Sequence, residues 1–160
     1  MIPEEAAKLI SKADAPVVFE VEKGAIKRYA DAVDDRNPLY WDEEYARNSR
    51  YGSIIAPPGF FGWPLKWTGS GPLFVPDSVG NLTLEAMSKA GYPYILDGGA
   101  ESEFMLPVRA GDILISSSKL AEMFERESKG NKLVFCILEN TFTNQNGAVA
   151  FKVRQTIICR

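Results

Sequence analysis

The segment DDRNPLYWDEEYA, residues 34–46, carries the residue types and spacing in this chain that best suit acid–base chemistry. It places a carboxylate at Asp35, an amide at Asn37 and a phenol at Tyr40. Pro38 removes a backbone N–H and favours an extended residue before it, so the segment is predicted to be irregular. A carboxylate can act as a general base, and a phenol can donate a hydrogen bond to a substrate oxygen. The chain of 160 residues contains no histidine, so no imidazole is available for proton transfer.

Tyr40 is predicted to be a poor proton shuttle at neutral pH. An unperturbed phenol has a pKa of about 10, against about 6.5 for an imidazole, and closing most of that gap takes about 4 kcal/mol of differential stabilisation. The neighbouring cations in sequence are Arg36, Arg47 and Arg50, and we do not expect them to supply that much. Tyr40 can still donate a hydrogen bond or shape a pocket.

Structural interpretations of the same residues stay open. Asp35 is as well explained as a loop or helix-capping acid. Asn37 and Pro38, taken alone, indicate only a turn. For Tyr40 and Trp41, packing or a place in a pocket wall is favoured over a chemical role.

Composition argues against several classes of protein. The net charge is −3 and no cluster of lysine and arginine exceeds two residues, which argues against a nucleic-acid partner. No apolar run reaches the roughly 18 residues that a membrane span needs, and the N-terminal residues lack the pattern of a secretory signal. Cys136 and Cys159 form no CxxC motif, so we expect buried free thiols in a reducing cytoplasm. Without histidine or a phosphate-binding glycine loop, neither a metal nor a cofactor is expected.

The order of the predicted elements is typical of an α+β domain. An N-terminal helical extension (1–16) precedes a strand at 17–22 and helices at 25–33 and 41–49. A buried helix is expected at 59–67, and only a turn of helix near LTLEAMSKA within 70–98. Four strands follow at 99–108, 113–128, 132–145 and 148–159, the last three joined by KGN and QNG turns. A long antiparallel sheet wrapped around a central helix describes a single hot-dog domain over 1–160.

Three stretches together resemble the MaoC-like dehydratases and R-specific enoyl-CoA hydratases. DDRNPLYWDEEYA is similar to that family's G-D-x-N-P-[LI]-H-x-D signature. RYGSIIAPPGF is similar to the segment that enters the central helix, and EFMLPVRAGDIL to the F-x-x-P-V-x-x-G-D-x-[IL] run before the long strands. Their order and spacing, over about residues 17–158, carry the resemblance.

The resemblance implies hydration of a 2-enoyl thioester or the reverse dehydration. In the family, the signature aspartate and histidine hold the water, and backbone N–H groups at the central helix stabilise the thioester oxygen. By position, Asp35 and Tyr40 match the catalytic aspartate and histidine. The implied substrate-binding positions are Asn37, Ile55, Ala56, Pro57, Gly59 and Phe60.

The family also suggests why tyrosine stands at the histidine position. It includes dehydratases in which one hot-dog half carries the aspartate and histidine while the other, a fused domain or a separate subunit, is silent and helps shape the acyl pocket. Silent halves often have an aromatic after NPL and a variant of IIAPP, as here. The chain is therefore interpreted as a non-catalytic subunit of a heteromeric enoyl-CoA hydratase or (3R)-hydroxyacyl-thioester dehydratase, with a vestigial Asp35–Tyr40 site.

This interpretation implies a histidine-bearing MaoC-like hot-dog partner and an acyl-CoA or acyl-carrier thioester. The alternatives are an acyl-CoA-binding or scaffold module without turnover and, more weakly, an active homo-oligomeric hydratase or thioesterase that uses Asp35. Acyl length and branching, coenzyme A against carrier protein, and the number of subunits are left open by the sequence.

Overall fold

A five-stranded antiparallel sheet forms the body of the protein. The computed structural model describes residues 2–60, 77–128 and 130–160. The helices are α1 (Glu4–Ala7), α2 (Lys23–Ala32), α3 (Glu43–Asn48) and α4 (Val79–Lys89), with a 3₁₀ turn at Pro38–Tyr40 between α2 and α3. The strands are β1 (Val17–Glu20), β2 (Ile95–Phe104), β3 (Ile113–Ser128), β4 (Asn131–Asn144) and β5 (Val149–Cys159).

The strands lie in the order β1-β3-β4-β5-β2, so β1 and β2 form the two edges of the sheet. Long central strands follow from the alternation of the sequence, because Val134, Cys136, Leu138 and Phe142, spaced by even numbers of residues along β4, are buried on the same face. The QNG turn between β4 and β5 forms as predicted. The Asn144 side chain accepts from the N–H groups of Asn146 and Ala148, and Gly147 adopts a φ of 76°.

Two apolar clusters fill the space on one face of the sheet. The first joins α2, Tyr40 and Phe60 to the β3, β4 and β5 residues at one end. The second joins α1 and α4 to Leu120 and other residues at the opposite end. The candidate catalytic segment therefore belongs to one end of the sheet, and helix α4 to the other.

The helix expected at 59–67 lies, from residue 61 onward, outside the described residues, and Gly59 forms part of a turn. Helix α4 packs on the sheet, and Ser78 caps it by accepting from the N–H of Asn81 at 3.2 Å. Asp14 also accepts from the N–H of Val79 at 2.6 Å. The sequence prediction was therefore wrong to allow only a turn of helix near LTLEAMSKA.

Other boundaries shift by a few residues. The N-terminal helical extension predicted over 1–16 is helical only in α1, and Ser11 adopts a φ of 69° while donating its N–H to the Leu120 carbonyl. The first long strand begins at Ile95 rather than residue 99. LAEMFERES, which alone suits a helix, is the second half of strand β3, as its setting between alternating runs predicted. Among the described residues, no helix is long and apolar enough to cross a bilayer.

Candidate active site

The NPLY segment is held by local hydrogen bonds that begin at Asp35. The Asp35 carboxylate accepts from the N–H of Asn37 at 3.1 Å, and the Asn37 side chain accepts from the N–H of Leu39 at 3.1 Å. The backbone carbonyl of Asp35 accepts from the indole of Trp41 at 2.8 Å. These contacts are the turn-forming and capping roles that the structural interpretation of Asp35 and Asn37 predicts.

Tyr40 is part of the apolar core. Only 6% of its surface is exposed, and it lies in the cluster that includes Ile54, Ile55 and Phe60. Burial raises the pKa of Tyr40 above its usual value, and electrostatic interactions with the nearby Asp35 and Tyr51 side chains raise it further. The hydrogen bond with the Asn37 side chain opposes this rise only in part. The environment therefore moves the phenol away from the range in which it could exchange a proton at neutral pH.

The arginines near Tyr40 in sequence do not stabilise a tyrosinate. Arg36 pairs with Asp34 at 2.9 Å and with Asp31 at 3.1 Å, and its guanidinium stacks over Trp41 at 5.6 Å. Arg50 instead lies over the ring of Tyr51 at 4.8 Å. No arginine is among the groups that influence the pKa of Tyr40.

The APPG loop, residues 56–59, lies beside the same apolar cluster, and hydrogen bonds anchor this region to two other segments. Ile55 donates its N–H to the Leu39 carbonyl at 3.3 Å, and Ala56 donates to the Val108 carbonyl at 2.8 Å. Ile55 and Phe60 are core residues, and Pro57 is buried as well. The structure thus brings the positions expected to bind substrate to the Asp35–Tyr40 segment, although several are buried in packing contacts.

Few backbone donors in this loop are available for a thioester oxygen. The N–H groups of Ile55 and Ala56 are bonded to carbonyls, and Phe60 donates to the Pro57 carbonyl at 3.1 Å. Pro57 and Pro58 have no N–H at all. Gly59 is the one residue of 55–60 whose N–H has no acceptor within the described part of the chain. An oxyanion site built here would rest on a single backbone donor.

Gly59 lets the loop pass close to helix α2. Its φ is +89°, and a Cβ at this position would lie 2.5 Å from the Tyr29 hydroxyl oxygen. Phe60 then packs edge-on against the Tyr29 ring, with the ring centroids 5.7 Å apart. Tyr29 could not be assigned to the site from the sequence, because its contact with residues thirty positions later depends on the fold.

No group of three or more metal-binding side chains occurs in the segments that the structure describes. Asp35 supplies the carboxylate of the candidate site. It is half-buried, and its Oδ1 accepts a hydrogen bond from the N–H of Asn37. The site can hold a carboxylate, an amide and a neutral phenol close together.

The chain matches the family described as FAS1-like, dehydratase domain region, over residues 9–153, and it belongs to this family. Among curated proteins, a UPF0336 protein of Thermobifida fusca is 25% identical over 121 residues, which cover 76% of this chain and 72% of that protein.

Solved structures of MaoC-like proteins share the fold. A chain of the ChsH1–ChsH2 complex from Mycobacterium tuberculosis gives a TM-score of 0.82 at 20% identity, covering 98% of this chain and 94% of that one. The HadBC complex, a (3R)-hydroxyacyl-ACP dehydratase from the same organism, gives 0.65 at 20% identity, covering 94% and 96%. The MaoC-like dehydratase of Rhodospirillum rubrum gives 0.60 at 22% identity, covering 94% and 91%. The α+β hot-dog fold and the MaoC-like family predicted from the sequence are confirmed.

Proposed function

We propose that this chain is the non-catalytic subunit of a heteromeric enoyl-CoA hydratase or (3R)-hydroxyacyl-thioester dehydratase. Its vestigial site helps to shape the acyl pocket, and a histidine-bearing hot-dog partner supplies the catalytic aspartate and histidine. Two of the structurally similar proteins are themselves heteromeric complexes of hot-dog subunits.

The observation that carries the proposal is the state of Tyr40. Hydration needs one group that takes a proton from water and another that returns one, each with a pKa near the working pH. Tyr40 stands where the family has its histidine, and its burial together with the charge of Asp35 raises its pKa. A phenol in this environment stays protonated at neutral pH and cannot serve as a base.

The APPG loop supports the same conclusion independently. Charge develops on the thioester oxygen during the reaction, and converging N–H donors normally stabilise it. Two prolines and three occupied N–H groups leave Gly59 as the one available donor in residues 55–60 of the described chain. The phenol at the histidine position and the proline-rich loop thus both support a non-catalytic role.

The edge strand β2 is the surface that best fits a partner subunit. All ten of its residues are exposed, and unpaired backbone groups on a long edge are a template for another strand. Six of the ten exposed large apolar residues of the described chain lie on or next to it: Tyr94, Ile95, Leu96, Phe104, Met105 and Leu106. The opposite edge strand β1 has only four residues. Pairing of β2 with a partner's edge would bury the apolar residues within the strand, Ile95, Leu96 and Phe104.

The first experiment is hydration of a short 2-enoyl-CoA, followed as loss of enoyl-thioester absorbance. The chain alone should show no turnover at several acyl lengths, and a complex with a histidine-bearing MaoC-like subunit should be active. Asp35→Asn in this chain should leave the activity of the complex within about twofold, because the partner's carboxylate carries the chemistry. Turnover by the isolated chain that Asp35→Asn abolishes would contradict the proposal. Acyl-CoA binding without turnover in any combination would favour the scaffold alternative instead.

Assembly is tested separately at the two sheet edges. The double variant Leu96→Lys and Phe104→Lys should abolish co-purification with the partner, because both charges would be buried at the paired edge. Val18→Lys on the β1 edge is the matched control, since Val18 is 62% exposed and should tolerate the change. Equal loss of assembly in both variants would argue against β2 as the pairing edge.

A further inference from the structure

A cleft at the far end of the sheet is not explained by the candidate active site. It has a volume of about 520 Å³ and lies where the β3–β4 hairpin, the start of β2 and the end of β5 meet. Its lining combines aromatic and aliphatic surface with two cationic side chains: Tyr92, Tyr94, Leu96, Leu133, Lys132 and Arg160.

The chemistry of the cleft suits a planar base that carries phosphates. Tyr94 is 67% exposed, and its backbone, one residue before β2, is held by a pair of hydrogen bonds with Arg160. Aromatic faces of this kind stack on nucleobases, and Lys and Arg side chains bind phosphate oxygens. The Lys132 side chain is 60% exposed and its ammonium lies 3.8 Å from the Glu125 carboxylate, too far for a strong hydrogen bond. Lys132 can therefore turn toward a phosphate at little cost.

The cleft is far from the Tyr40 end of its own subunit. Strand β2 starts at the cleft and runs ten residues to Phe104, about 33 Å along the strand. Just beyond that far end, Val108 receives the hydrogen bond from Ala56 that anchors the APPG loop. A ligand in the cleft therefore lies at the opposite end of the sheet from the vestigial site.

Antiparallel pairing of two hot-dog subunits through β2 changes this relation. Such pairing sets the start of one β2 beside the end of the other. The cleft of this chain would then lie next to the end of the partner's edge strand that leads to the partner's own substrate loop.

We infer that the cleft formed by Tyr92, Tyr94, Lys132 and Arg160 binds the adenosine diphosphate portion of a coenzyme A thioester whose acyl end enters the partner subunit's site. This inference rests on the proposed function and specifies coenzyme A, rather than a carrier protein, as the substrate's handle. The silent subunit would thereby hold the substrate while its partner performs the chemistry.

Binding is tested by calorimetric titration of the purified chain with coenzyme A, adenosine 3′,5′-diphosphate and pantetheine. Coenzyme A and the diphosphate should bind, and pantetheine, which lacks the nucleotide, should not. Lys132→Glu should weaken coenzyme A binding by at least about tenfold, because it replaces a charge-assisted hydrogen bond by a repulsion. Lys12→Glu is the matched control, since Lys12 is exposed and lies outside the cleft. Tyr94→Ala should weaken binding, and Tyr94→Phe should retain it because the stacking face remains.

In the assembled enzyme, Lys132→Glu should raise the KM for an enoyl-CoA by about tenfold with kcat unchanged. The KM for the corresponding enoyl-pantetheine thioester should not change, because that substrate has no nucleotide to lose. The inference would be overturned by an equal effect on the KM of both substrates or by failure of coenzyme A to bind the chain. Binding of an acyl-carrier protein that coenzyme A does not displace would overturn it as well. Activity of the isolated chain would refute the proposed function alone, because the calorimetric titrations test coenzyme A binding in the cleft separately.

Discussion

Substituting Gly59 by alanine tests how the APPG loop is held against helix α2. Two separate penalties are expected. The φ of +89° is unfavourable for any residue with a Cβ, at about 1–2 kcal/mol. The new Cβ would also lie 2.5 Å from the Tyr29 hydroxyl oxygen, and overpacking of this kind costs about 1–3 kcal/mol. Gly59→Ala should therefore lower the free energy of unfolding by about 2–5 kcal/mol.

Tyr29→Phe separates the two terms. It removes the hydroxyl oxygen, and the next nearest atom, Tyr29 Cζ, lies 3.6 Å from the position of the alanine methyl group, an ordinary contact. In the Tyr29→Phe background, Gly59→Ala should cost only the backbone term of about 1–2 kcal/mol. Gly52→Ala is the control without a clash, because Gly52 has a φ of +72° and nothing within 4 Å of its added Cβ.

The assay is urea unfolding of the four proteins of the cycle and of Gly52→Ala, at constant pH. The coupling energy between positions 29 and 59 should be about 1–3 kcal/mol, which is a difference of several degrees in Tm for a chain of this size. Additive costs, with Gly59→Ala costing the same in the wild-type and Tyr29→Phe backgrounds and no more than Gly52→Ala, would refute the close approach of this loop to Tyr29.

Two further predictions follow from side chains buried beneath the sheet. Because burial and the charge of Asp35 raise the pKa of Tyr40, its contribution to stability is fully present below about pH 10 and is lost as the pH rises through the folded-state pKa. The unfolding free energy of the wild type should therefore fall more steeply above pH 10 than that of Tyr40→Phe. The control Tyr94→Phe should follow the wild type. Identical slopes above pH 10 for all three proteins would contradict the burial of the Tyr40 phenol. The contact with Cys159, together with burial, raises the pKa of the Cys136 thiol, and both cysteines have no exposed surface. A thiol-specific disulfide reagent at pH 8 should thus leave both unmodified in the native protein and modify both in denaturant, and rapid labelling of the folded chain would show that the β4–β5 face is open.

The strands were the part of the fold most readable from the sequence. Strand β3 was predicted with the same boundaries that the structure has, because its second half, which alone suits a helix, lies between alternating runs bounded by turn signals. The helices were harder. Helix α4 was predicted only as a turn, since its N-terminus is fixed by Asp14, a residue 65 positions away in sequence.

The sequence motif located the candidate site but did not predict the hydrogen bonds that the site residues form. The NPLY segment and the APPG loop could be paired from their order in the chain. The hydrogen bonds that consume the N–H groups of Ile55 and Ala56 could not, because their acceptors, Leu39 and Val108, belong to segments that meet only in the folded chain. The same is true of the contact between Gly59 and Tyr29.

By itself the sequence determined the residue types: no histidine in the chain, a tyrosine after NPL, and two prolines without N–H groups in the loop after Ala56. These are properties of composition and covalent structure, and no fold can change them. The tertiary structure decided the direction in which the pKa of Tyr40 shifts, because the desolvation and the nearby carboxylate that raise it come from residues packed around the ring. It also decided which sheet edge is left exposed and where the distant cleft lies, since both depend on strand order, which local patterning does not encode.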